Sequence, residues 1–334
     1  MISGQLKLSS REIEILRLAS DWPEYPTVKS LTPTVLQEIT HREGIDFATA
    51  LLFDRFRKSP SHADFICQID RLRQSPVTSQ RTREAKIVLV PGALYLERPD
   101  LGGDGRLVRE TAINCGWPFE FIPLASTGSV FENAKCIHQW LLKHRDEKII
   151  LVSLSKGGKD LITSFDLMDA QPDLHNIAAW VNVCGPLNGS LMADWVLSSR
   201  ICSGLFRIQF WLQRRNFKFI TELRHRPNEI EKLSRRLPHN LRIINVVGFP
   251  FSQHFNSAFS RFCHRKLSAH GPNDGTILLS DLCAWPGEIY PVWGADHYFR
   301  PEALAREVVT AILEYLAMVN PGKPVSAHEP AGGP

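Results

Sequence analysis

From residue 86 onward the chain alternates dense apolar runs with longer stretches in which apolar positions recur every three or four residues. The dense runs fall at 87–90, 119–124, 149–152, 177–183, 242–247 and 289–292, and they are rich in Val and Ile. Runs without polar alternation suit strands covered on both faces, and the helical spacing of 130–144 and 301–318 supplies covering elements. Strand and helix taking turns in this way predict an α/β fold built on a mostly parallel sheet flanked by helices.

Upstream, the spacing predicts helices only. Ser9-Ser10-Arg11-Glu12 ahead of Ile13, Ile15, Leu16 and Leu18 reads as a capped amphipathic helix. Residues 34–40, 46–58 and 63–73 repeat the spacing, broken at Pro33, Gly44 and Pro60. The polar, proline-bearing stretch 75–83 reads as a linker. The expected organisation is therefore an N-terminal helical extension over 1–80 and an α/β domain over 81–320. Residues 321–334, rich in Pro, Gly and Ala, are expected to be a disordered tail. An insertion over about 187–240 interrupts the alternation and carries Trp195, Phe206, Phe210, Trp211, Phe217 and Phe219 among many arginines. Placed over the carboxyl edge of a sheet, it would form a helical lid.

A chain of 334 residues with 43% hydrophobic composition can bury a full core. The net charge of +4 does not by itself imply a nucleic-acid partner, and no zinc-knuckle spacing or ribonucleoprotein aromatic motif is present. Seven cysteines, none in a Cys-x-x-Cys pair, favour a reducing, cytoplasmic setting over a disulfide framework. The amino terminus is too polar for a signal-peptide core, and no apolar stretch approaches the roughly 20 residues that cross a bilayer.

Two segments carry the chemistry. The run Lys148 to Gly158 ends in Ser153-Leu154-Ser155-Lys156-Gly157 and passes directly into helix-compatible sequence. That puts Ser155 on a tight strand-to-helix corner with its hydroxyl lifted off the sheet. By itself the motif also describes an ordinary exposed serine in a turn. Downstream come Asp274, in Asn273-Asp274-Gly275-Thr276, and His297, in Gly294-Ala295-Asp296-His297. Nucleophile, acid and base in that chain order match the α/β-hydrolase version of the Ser-His-Asp device. Asp274 could equally be a plain Asp-Gly turn. Asp296 is a weaker candidate acid, because adjacent side chains point apart, and His254 and His270 lack a strand-end setting. For the oxyanion, the N–H of Lys156 opens the following helix, and the N–H of Ala93 in Val90-Pro91-Gly92-Ala93 is the second donor, with Leu94 behind it. The Lys156 side chain could steer an anionic substrate only if it faced the site.

Over about 86–318 these segments resemble the α/β-hydrolase superfamily in its lipase and esterase branches. Gly185 to Ser190 resembles the segment that enters the lid in lipase-like members. Ser153 replaces the usual Gly, and Pro91 stands where His is common. The resemblance implies a serine hydrolase acting on a small-molecule or lipid ester, with no metal or other cofactor. It leaves open an acyltransferase of the same fold, and a non-catalytic partner-binding protein.

From Arg200 to Arg242 there are eleven Lys or Arg and three Glu. Such a lid could meet a membrane surface or an acidic partner through its basic side while its apolar side lines an acyl pocket. A solvated helix face over a normal core would carry the same pattern.

Overall fold

The computed structural model describes residues 8–74, 83–167, 175–235, 237 and 241–319. The linker and tail expected at 75–83 and 321–334 lie, apart from Arg83, outside the described residues. Four helices come first: α1 (Ser10–Asp21), α2 (Pro33–Glu43), α3 (Ile45–Lys58) and α4 (Ala63–Gln74). The strands are β1 (Lys86–Val90), β2 (Phe119–Phe121), β3 (Ile149–Leu154), β4 (Ile177–Val183), β5 (Arg242–Phe249) and β6 (Glu288–Trp293). Between and after them run α5 (Arg106–Asn114), α6 (Val130–Lys143), α7 (Lys156–Asp166), α8 (Leu191–Ser198), α9 (Arg200–Leu212), α10 (Lys218–Glu222), α11 (Glu229–Ser234), α12 (Ala258–Leu267) and α13 (Glu302–Met318).

The six strands form one sheet in the order β2-β1-β3-β4-β5-β6, every pair parallel. Alternate residues of each strand feed two cores. Val88, Leu151, Trp180 and Phe249 pack with α6 and α7 on one face, while Ile87, Val152, Val181 and Val292 pack with α5 and α13 on the other. Burial on both faces explains why the central strands read as unbroken apolar runs.

Strand β2 is half its expected length. The N–H of Ile122 still donates to Leu89 O, but Pro123 has no N–H to continue the ladder. Helices α5 and α12 have no counterpart in the sequence reading; each is short, and its buried face mixes polar with apolar residues, as Thr111 does beside Val108 and Ala112 and as Ser260 and His264 do beside Cys263 and Leu267.

The N-terminal helices fold around the β6 edge. Phe53 and Phe56 of α3 pack on Phe249, and Phe53 also on Trp293, on the first face; Phe65 of α4 packs on Tyr290 and Tyr315 on the second. An open strand edge is thereby covered.

Helices α8 to α11 lie between β4 and β5, and several bonds root them on the body. Ser190 Oγ donates to Thr276 O, Ile230 N–H to Asn188 Oδ1, and Lys159 Nζ to Leu187 O. His225 Nε2 lies 3.1 Å from Asp281 Oδ2, and its N–H donates to Asp194 Oδ2. Burial disfavours the imidazolium, but Asp281 and Asp194 outweigh it and hold His225 above the ordinary histidine range. Its folded value therefore exceeds its unfolded one. The pair's contribution is complete below about pH 6.5 and disappears as pH rises through the folded value. The stability gap between the parent and His225→Ala, followed by urea unfolding, is expected to narrow from about pH 5.5 to about pH 8.

Candidate active site

Strand β3 ends at Leu154 and α7 begins at Lys156, so Ser155 alone makes the corner, at φ 46° and ψ −123°. A non-glycine residue held there costs about 1–3 kcal/mol, which the surroundings must offset. The Ser155 N–H donates to Val183 O at 3.0 Å, and its carbonyl accepts from Gly158 N–H at 2.9 Å. Glycines let the backbone fold back on itself. A Cβ on Gly157 would stand 2.5 Å from Pro91 O and 2.6 Å from Val90 O, and one on Gly158 2.3 Å from Asn182 Oδ1. Gly92 brings the loop after β1 against Leu154 O and Ser155 Cβ.

Ser153, where the resembled motif has Gly, belongs to a buried polar line that sequence reading missed. Its Oγ accepts from Trp180 Nε1–H at 2.8 Å and donates to Asn182 Oδ1 at 3.2 Å. Asn182 Nδ2 then donates to Asn245 Oδ1, and Asn245 Nδ2 to Pro286 O. Strand register pairs Ser153 with Asn182 and Asn182 with Asn245. A Gly at 153 would leave the buried Trp180 N–H without this acceptor. The available signal was an Asn inside each of two apolar strand runs, Val181-Asn182-Val183 and Ile244-Asn245-Val246.

The fold brings Ser155, His297 and Asp274 together. Ser155 Oγ lies 2.9 Å from His297 Nε2, and His297 Nδ1 lies 2.9 Å from Asp274 Oδ2. Asp274 is fully buried, and its other oxygen accepts from the N–H groups of Thr276 and Ile277, both at 2.8 Å. Three donors thus satisfy a carboxylate that burial would otherwise penalise. The His297 N–H also donates to Asp274 O, strapping the two loops to each other.

The competing residues are engaged elsewhere. Asp296 Oδ1 accepts from the N–H groups of Tyr298 and Arg300, and burial raises its pKa. His254 Nε2 faces Glu12 Oε1 at 3.0 Å, and His270 is exposed in the turn after α12. The Leu94 N–H is taken by Ser126 O. Among the described residues the N–H groups of Ala93 and Lys156 donate to no protein acceptor. Both flank the corner, and Lys156 opens α7, where the helix end favours negative charge. The Lys156 side chain turns away and is buried, its Nζ on both oxygens of Asp160 at 2.7 and 2.6 Å, so it does not steer substrate. Burial pushes the Asp160 carboxyl up to about 6 despite Lys156.

The Asp274 loop is also wired to the N-terminal helices. Asp46 Oδ1 accepts from the N–H and Oγ–H of Ser252; Ser252 Oγ lies 3.2 Å from His264 Nε2, and His264 Nδ1 3.0 Å from Asn273 Oδ1. Buried Asn273 accepts further from Gly275 N–H and donates to Gly271 O. On the His297 side, Trp293 Nε1–H donates to Glu12 Oε1 at 3.2 Å.

Among the described residues one group could offer metal ligands: Glu120, His144 and Glu147, whose ligand atoms lie within 4.8 Å of one another. Lys86 Nζ sits on Glu120 and Glu147, so a resident cation already answers that charge.

Sheet order and corner geometry give the chain the α/β-hydrolase fold of known esterases and lipases. It superposes on the metagenomic carboxyl esterase MGS0156 with a TM-score of 0.56 and 22% identity, covering 71% of this chain and 76% of that one. The Bacillus licheniformis lipase BlEst2 in mature form gives a TM-score of 0.50 and 19% identity, covering 74% and 95%. No protein-family model and no curated protein sequence matches the chain. At these identities the likeness speaks for fold alone.

Asn273→Ala removes buried bonds on both sides of Asp274 and is expected to cost about 2–3 kcal/mol in chemical denaturation, without altering the helical circular dichroism of the native state.

Proposed function

We propose that the protein is a serine hydrolase of carboxylic esters, acting through an acyl-enzyme on Ser155, with substrates whose acyl part is hydrophobic. The observation that carries the proposal is the 2.9 Å approach of Ser155 Oγ to His297 Nε2, backed by a fully buried Asp274 on the far ring nitrogen.

In this reading Ser155 Oγ attacks the ester carbonyl while His297 Nε2 takes its proton. Asp274 keeps Nδ1 protonated and stabilises the imidazolium that forms. Charge developing on the carbonyl oxygen meets the N–H groups of Ala93 and Lys156. His297 then returns the proton to the leaving alcohol. Water, deprotonated by the same imidazole, releases the acid and restores Ser155.

Labelling with a fluorophosphonate tests the nucleophile: the parent is expected to label and Ser155→Ala to remain blank. A panel of p-nitrophenyl esters of graded chain length reads the reaction. We expect turnover of at least one ester, and a loss of about 10³-fold or more in Ser155→Ala and His297→Ala. A folded parent that neither labels nor turns over any ester would mean that the chain is a binding protein built on this fold. Acyl transfer to an added alcohol in preference to water would make it a transferase.

A further inference from the structure

Helix α9 presents to solvent what most helices bury. Ile201, Leu205, Ile208 and Leu212 follow one another at intervals of four, three and four residues, and so form a single stripe. Their exposures are 76%, 63%, 57% and 69%, and Trp211 beside them is 75% exposed. Among the described residues, these five are over a third of the fourteen large apolar side chains left exposed, on one helix about 20 Å long. The stripe is not the inner face turned out. Phe210, on the opposite side, is buried against Phe217 and Phe219. The apolar side of the lid was expected to line an acyl pocket, but α9 carries a second apolar face directed outward.

The charge around the stripe has one sign. Arg200 and Arg207 flank it along the helix, Arg214 and Arg215 follow its end, and α9 contains no Asp or Glu. Among the described residues Arg200, Arg207 and Arg214 form no ion pair, and Arg215 reaches only Glu97, at 3.8 Å. The Arg207 guanidinium lies over the Phe217 ring, 5.0 Å from its centroid.

The geometry points to α9 as a docking helix for an anionic lipid surface, lying in the plane of the interface with its stripe among the acyl chains and its arginines at the headgroups. A second copy of the chain fits less well, because a two-fold contact along this stripe would set the four arginines against the same four arginines. An acidic protein would answer the arginines but leave five large apolar groups unexplained. Trp211, at the C-terminal end next to Arg214 and Arg215, stands where aromatic side chains favour the interface. The inference does not require Ser155 to be catalytic.

The test is flotation of full-length protein with vesicles, in a Ser155→Ala background so that no lipid is consumed. Vesicles of phosphatidylcholine and phosphatidylglycerol in about a three-to-one ratio are expected to carry the protein upward, and pure phosphatidylcholine vesicles far less. Raising salt to about 0.5 M should weaken the binding, since the charge contribution is screened. Arg207→Gln with Arg214→Gln should lower partitioning roughly 25-fold, about fivefold per charge removed. Leu205→Asp with Ile208→Asp, both outward-facing, should abolish it while circular dichroism stays unchanged. Failure of the folded parent to float with anionic vesicles would overturn the inference. So would undiminished binding by either double variant, or a parent dimer in light scattering that Leu205→Asp with Ile208→Asp separates into monomers.

Discussion

Everything at the candidate site depends on one backbone conformation, that of Ser155. A left-handed φ at a residue with a Cβ persists only where its neighbours leave no alternative. Here the strand arrives with its last carbonyls in the sheet, the helix departs over β1, and glycines at 92, 157 and 158 allow contacts of a few ångström between three backbones. The buried line from Trp180 through Ser153 and Asn182 to Asn245 holds the strand side of the corner. Because Asn182 Oδ1 also lies against Gly158 and Gly185, the same amide both satisfies the sheet and sets how closely the helix can approach.

His297 and Asp274 rest on a different kind of support. Asp274 and His297 sit on loops, yet neither loop is free to wander. The backbone bond between them, the paired N–H groups on Asp274 Oδ1 and the Asn273–His264 contact make one hydrogen-bonded block. That block continues through Ser252 to Asp46 of α3, while Glu12 of α1 holds Trp293 at the end of β6. Residues far upstream thus buttress the loops that carry Asp274 and His297.

Much of this was legible in the sequence because strands buried on both faces leave dense apolar runs, and a strand-to-helix corner leaves small residues after a serine. Lengths were less legible where a single residue decides them, as Pro123 does for β2. The short helices α5 and α12 left a blurred trace, because each buries polar residues among the apolar ones of its inner face. The wiring of His264 and the direction of the α9 stripe were invisible for a common reason: each depends on which side of an element meets the rest of the molecule. Spacing alone could show that α9 has an apolar side; it could not show that Phe206 and Phe210 mark one such side and Ile201, Leu205 and Ile208 another.

The wrapping of the β6 edge bears on the order in which the protein can assemble as it is synthesised. Helices α1 to α4 precede the whole sheet in the chain, yet their partners include Trp293, Glu307 and Tyr315, more than two hundred residues later. At usual elongation rates that interval lasts about ten seconds or more. Through it the helices can pack on one another, but the faces that meet β6 and α13 have no partner, so the nascent chain carries those apolar groups exposed until β6 and α13 emerge.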